Sequence, residues 1–173
     1  MPHVGEARTA YALGCSSGRV GTDAASRIRV QNRLSEAEPL FKKALATSEK
    51  VLSADHPTLA IRYNGLGLVF QDQGRNAEAE PLFKKVLTIG EKALPADHPN
   101  VAAWYNNLAL LYRDQERFDE AELLYRKALE ILERTLGPKH WKTGLVAKHY
   151  AELHKRRGRP DEADALLRRI GGH

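Results

Sequence analysis

The sequence repeats itself every 42 residues, and no other feature constrains the fold as tightly. Arg33, Arg75, Arg117 and Arg159 each open a matching segment: RLSEAEPLFKKAL, RNAEAEPLFKKVL, RFDEAELLYRKAL and RPDEADALLRRI. Between the first two complete periods, 24 of 42 aligned positions are identical. Duplication at this period makes each unit one supersecondary element that buries its apolar face against its neighbours.

Each period holds two helical stretches. In the first, Ala37, Leu40, Phe41, Ala44, Leu45 and Leu52 recur at helical spacing between about Leu34 and Leu52. Ser35 and Asp119 suit the cap position, and Glu38 and Glu122, three residues on, complete a capping box. The next stretch follows Asp55-His56-Pro57, and one period later Asp97-His98-Pro99. Proline there presets the first helical residue, and Leu59, Tyr63, Leu66, Gly67 and Phe70 supply a buried stripe. Gly74 ends that helix, because glycine takes a left-handed cap without a side-chain clash. Asn32 and Gly158 tolerate the same turn, whereas Glu116 should cost about 1 kcal/mol there. No run alternates as a half-buried strand does, so an all-α chain without sheet is expected.

Other architectures fall away on composition. The longest apolar runs are five residues, such as Leu108 to Tyr112, and a membrane-spanning helix needs about twenty. A single cysteine, Cys15, cannot form an internal disulfide or a cysteine-rich zinc module. Ala12-Leu13-Gly14-Cys15 has the outline of a lipoprotein box, but Glu6, Arg8 and Thr9 interrupt the apolar stretch that an export signal requires. A cytoplasmic start is expected.

Small residues at the crossing points with aromatics beside them resemble the tetratricopeptide repeat. Ala103-Trp104-Tyr105-Asn106-Asn107-Leu108-Ala109-Leu110-Leu111-Tyr112, then Phe118-Asp119-Glu120-Ala121-Glu122, then Tyr125-Arg126-Lys127-Ala128-Leu129 is similar to that consensus almost throughout. The usual period is about 34 residues. The longer unit here resembles the repeats of kinesin light chains and their relatives. The resemblance implies a right-handed α-α superhelix of antiparallel helix pairs over residues 33–170: a leading helix at 34–52 and repeats at about 57–94, 99–136 and 141–170. Residues 1–32 then hold a degraded or frayed repeat helix, within 17–32, and 171–173 form a tail. Gly67, Ala109 and Ala151 face Ala79, Ala121 and Ala163 at the close approaches, with Phe83 and Tyr125 filling the flanks.

The resemblance also implies a function: a non-enzymatic scaffold that binds a protein or peptide segment in the concave groove lined by first helices. One ladder of positions 42 apart reads Asn64, Asn106, Lys148, and another Gln71, Arg113, Lys155, with Leu68 and Leu110 on the same face. An exposed asparagine would donate to and accept from one peptide unit of a partner. Rival readings are a self-assembly module, a fragment of a larger repeat-containing signalling protein, and an RNA-binding repeat. For self-assembly, Leu166, Leu167 and Ile170 would supply the apolar face, giving a homo-oligomer through terminal helices.

Charge is uneven. Residues 1–32 carry four basic and two acidic side chains, 33–138 fourteen and sixteen, and 139–173 nine and four, giving +2, −2 and +5. Lys148, Lys155, Arg156, Arg157, Arg159, Arg168 and Arg169 therefore favour an acidic protein partner or a charged end cap. Nucleic acid ranks lower, since Trp141 and Tyr150 are expected to be packed. No catalytic, metal or cofactor site is expected, and no membrane partner. Gly14-Cys15-Ser16-Ser17-Gly18 lacks the strand-to-helix elbow its motif needs. His56, His98 and His140 are kept apart by the repeat, and His149 and His154 are five apart rather than the four that places two ligands on one helix face.

Overall fold

The structure, a computed structural model, describes residues 34–171, with side chains from residue 36 onward. Among these residues it is all-α, with seven helices and no strand. They fall into two compact units that divide between Pro95 and Ala96. The first holds α1 (Leu34–Val51), α2 (Pro57–Asp72) and α3 (Asn76–Ala93). The second holds α4 (Pro99–Asp114), α5 (Phe118–Leu136), α6 (Trp141–Arg156) and α7 (Pro160–Gly171). The expected helix within 17–32 and the motifs around Cys15 lie outside the described residues.

Histidines start the first helices of the pairs. His56, His98 and His140 have extended backbone and use Nδ1 to accept from the backbone N–H of Thr58, Asn100 and Lys142, each at 3.1 Å. This satisfies one of the amides that a helix start leaves open. Pro57 and Pro99 follow as first helical residues, and Trp141 takes that place in the last pair. The turns closing these helices are left-handed at Gly74 (φ 74°), Glu116 (φ 60°) and Gly158 (φ 72°), as the repeat predicts.

The second helices begin differently from expectation. The residues preceding α3 and α5 are Arg75 and Arg117, and neither makes a side-chain cap bond. Asp119 lies inside the first turn of α5 rather than capping it. Glu122 does not fold back onto its own helix start. Arg157 Nη1 and Arg159 Nη2 both donate to its Oε2 at 2.7 Å, and these charge-assisted bonds outcompete a neutral backbone amide.

Close approaches sit where small residues allow them. In the first unit α1 packs on α2 and α2 on α3. A methyl at Gly67 would lie 2.8 Å from Phe83 Cε1, so a larger residue there requires the ring to shift. In the second unit α5 packs on both α4 and α6, and α6 on α7. Ala109, Ala121 and Ala163 are fully buried there, and Tyr125, also fully buried, stacks on Tyr150 with centroids 5.8 Å apart. No helix among the described residues is long and apolar enough to cross a membrane.

Candidate functional site

Two helices of the second unit carry most of the ladder. On α4, Asn106, Leu110 and Arg113 follow one another at spacings of four and three, which stacks them on one helix face. On α6, Lys148 and Lys155 are seven apart and both exposed. In the first unit α2 sets out Asn64, Leu68 and Gln71 with the same spacing, and of these Gln71 is half-buried while Asn64 and Leu68 are buried.

The ladder asparagines are not the exposed side chains that the sequence suggests. Asn64 is 3% exposed and Asn106 is 0%. The reason at Asn106 is the neighbouring helix: His149 on α6 brings Nδ1 to 2.9 Å from Asn106 Oδ1. Its amide nitrogen Nδ2 is buried without a hydrogen-bond partner. Arg113 is 2% exposed, and its Nε and Nη2 donate to Asp114 Oδ1 at 3.2 and 3.0 Å. Arg156 Nη1 lies 3.9 Å from the same carboxylate oxygen. Asn106, Arg113 and Leu110 therefore form the floor of this face, and Lys148 and Lys155 its accessible edge.

Ion pairs absorb part of the carboxy-terminal charge. Besides its bond to Glu122, Arg157 pairs with Asp119 at 2.8 Å, and Arg169 pairs with Glu133 at 2.6 Å. Burial pushes the Glu122 carboxyl up, but the hydrogen bond from Arg159 and the charges of Arg159 and Arg157 outweigh it, leaving it below the usual carboxylate range. Burial, and then the charge of Arg159, lowers the pKa of His154, whose ring stacks on Tyr150 at 4.5 Å. An equivalent clasp stands in the first unit, where Arg75 and Gln73 both donate to Glu38 Oε2, at 2.8 and 3.1 Å.

Trp141 departs from expectation: it is 55% exposed, while Tyr150 is packed at 8%. Of the terminal leucines and isoleucine, Ile170 is buried and Leu166 and Leu167 are half-buried. Trp141 and Leu167 border a cleft of about 470 Å³ at the end of the α6–α7 pair. Among the described residues no group of three or more His, Cys, Asp or Glu side chains could hold a metal ion.

Antiparallel helix pairs with small residues at each crossing, repeating every 42 residues, define a helical-repeat protein. The tetratricopeptide repeat profile matches residues 24–92, 63–134 and 100–170, and the chain belongs to the tetratricopeptide repeat family. A crystal structure of a Podosopora anserina protein of the kinesin light chain type, with nearly identical TPR-like repeats, is similar with a TM-score of 0.80 and 25% identity. The match covers 98% of this chain and 75% of that one. A single-substitution variant of that protein matches at 26% identity and TM-score 0.80, over 88% and 72% of the two chains. BtubC (BKLC) from P. vanneervenii shares the fold at TM-score 0.73 and 23% identity, over 84% and 59%. No curated protein matches the chain.

Proposed function

We propose that this chain is a non-enzymatic scaffold that holds an extended protein segment against the first helices of its repeats. The observation that carries the reading is the pair Lys148 and Lys155, seven apart on α6 and both exposed, beside the buried polar side chains of Asn106 and Arg113 on α4. First helices form the face on which tetratricopeptide arrays take their partners. Carboxylates on an extended segment would meet the two lysines. Leu110 and Arg113, both buried, back this edge, and Asp114 holds Arg113 in place. Asn64, Leu68 and Gln71 stand at the matching positions of α2 in the first unit.

One bond of this kind contributes about 1 kcal/mol net, so several in series give affinities on the order of micromolar. The test is affinity capture with mass spectrometry on the intact chain, followed by direct titration of the captured partner against Lys155→Glu and Asn106→Ala. Both variants should weaken binding by about tenfold or more with unchanged helicity in circular dichroism. Titration curves indistinguishable from those of the unmodified chain would remove this face as the binding site.

A further inference from the structure

The turns that close α2, α4 and α6 carry the same groups in the same columns of the repeat. Each has an arginine (Arg75, Arg117, Arg159), a glutamate three residues on (Glu78, Glu120, Glu162) and a ring five residues back (Phe70, Tyr112, His154). At the first two turns the arginine lies over the ring, with its guanidinium carbon 4.2 Å from the Phe70 centroid and 3.9 Å from that of Tyr112. Its Nε and Nη2 then donate side by side to the glutamate, at 2.6 and 2.7 Å for Arg75 and at 2.6 and 2.5 Å for Arg117. The third turn breaks this arrangement. Arg159 donates to Glu162 from Nη1 alone, at 3.2 Å, and its Nε is buried with no hydrogen-bond partner among the described residues. The Glu162 oxygen concerned, Oε2, stands 3.4 Å from His154 Nδ1.

The surroundings of His154 make that change of ring consequential. The imidazole is buried, and Nδ1 has no hydrogen-bond partner among the described residues. Tyr150 of α6 stacks on it, Arg157 and Arg159 face it from the turn, Glu162 from α7, and Glu122 from α5. Both arginines donate to that Glu122 at 2.7 Å. A phenyl ring under an arginine never titrates, and a phenol does not near neutrality. An imidazole does, and once protonated it sets a further cation beside Arg159 in a site closed to water. Burial and the charge of Arg159 oppose that proton more than Glu162 and Glu122 favour it.

We propose that His154 is a proton-operated latch for α7. As a neutral ring it helps seat α7 on α6, and as an imidazolium it leaves its buried seat for water and the start of α7 loosens with it. Glu162 sets the acidity at which this happens, because its carboxylate is shared between Arg159 and His154 instead of being locked on Arg159 Nε. The latch is local to this pair. Phe70 and Tyr112 hold the matching seats on α2 and α4 with rings that carry no charge near neutrality.

Two readouts on the intact chain test it. Ring-proton NMR follows the charge of His154, whose resonance is the one lost in His154→Phe. Amide hydrogen exchange, expressed as protection relative to an unstructured peptide at the same pH, compares α7 with α4. Between about pH 7.5 and about pH 5, protection of the Ala163 to Ile170 amides should fall on the order of tenfold, while that of Leu111 and Tyr112 stays within about twofold. In His154→Phe, which restores the ring of the first turn, α7 protection should stay flat over that range. Glu162→Gln should move the His154 titration to lower pH, and the loss of α7 protection with it. The proposal falls if α7 protection does not follow the charge of His154, or if His154→Phe loses it to the same extent. It also falls if Glu162→Gln leaves the His154 titration in place. An equal loss in α4 and α7 overturns it too, since the whole unit would then be unfolding and no latch would be opening.

Discussion

The α4–α5 and α6–α7 pairs of the second unit are built from the same 42-residue pattern yet end in opposite states. In the former, the outward positions are Tyr105 and Tyr125, both buried, and α6 lies across them. In the latter they are Ala147 and Leu167, beside a cleft with an exposed tryptophan. Backbone and turns are alike in the two pairs, down to the histidine cap and the left-handed closing residue. The fold instructions thus reside in small residues, caps and turns. The size of a few side chains at matching positions sets how far each face is filled.

Tyr125 and Leu167 give the largest lever on that comparison. Tyr125→Ala removes a fully buried ring stacked on Tyr150 and should cost about 3 to 5 kcal/mol in urea unfolding. Leu167→Ala, at the half-buried equivalent, should cost less than half as much, and equal losses would contradict the difference drawn between the pairs. A smaller effect comes from the shared caps. His98→Ala and His140→Ala should each lower stability by about 1 kcal/mol by leaving a backbone amide open. Because the cap is local, the two losses should agree within about 0.5 kcal/mol.

At the turns the pairs differ in sign. Glu116→Gly should stabilise by about 1 kcal/mol, since Glu116 holds φ 60° where glycine is at ease. Gly158→Ala, at φ 72°, should destabilise by a similar amount. Denaturation midpoints that move the same way in both variants would break the parallel.

The smallest effect is a pH dependence that includes His154 on α6 and Glu122 on α5, which faces the final pair through Arg157 and Arg159. His154 stays neutral in the fold below the pH at which the unfolded chain takes up its proton. The unfolded state then binds more protons, so stability falls as pH drops below about 6.5. Glu122, with its pKa lowered, contributes stability that is complete above its ordinary value of 4.5 and is lost as pH falls through its folded value. Thermal melts should show both steps, and His154→Phe should remove only the upper one.

Much of this was legible in the residues. The period located the helices because the apolar positions, Pro57, Pro99 and the left-handed turns recur in register. Glu116 was readable as strained because its neighbours in the repeat are glycines. The histidines before α2, α4 and α6 were visible but read as bystanders. Their place directly before a helix start, where an acceptor two residues from an open amide is needed, was the available signal. Burial of Asn106 was not legible, since a polar residue on a helix face says nothing about which neighbour covers it. The cleft could have been found by comparing columns of the repeat, where Ala147 stands under Tyr105 and Gly144 under Ala102.

The arginine clasps have a consequence for how such a chain can change over time. Arg75 reaches Glu38 and Arg159 reaches Glu122, in both cases across 37 residues. An inserted or deleted residue within an intervening helix turns one partner of the clasp about 100° away from the other. Single-residue length changes are thereby selected against inside the helices, whereas removal or addition of 42 residues leaves every clasp matched. Lineages carrying this sequence should differ in length by whole repeats.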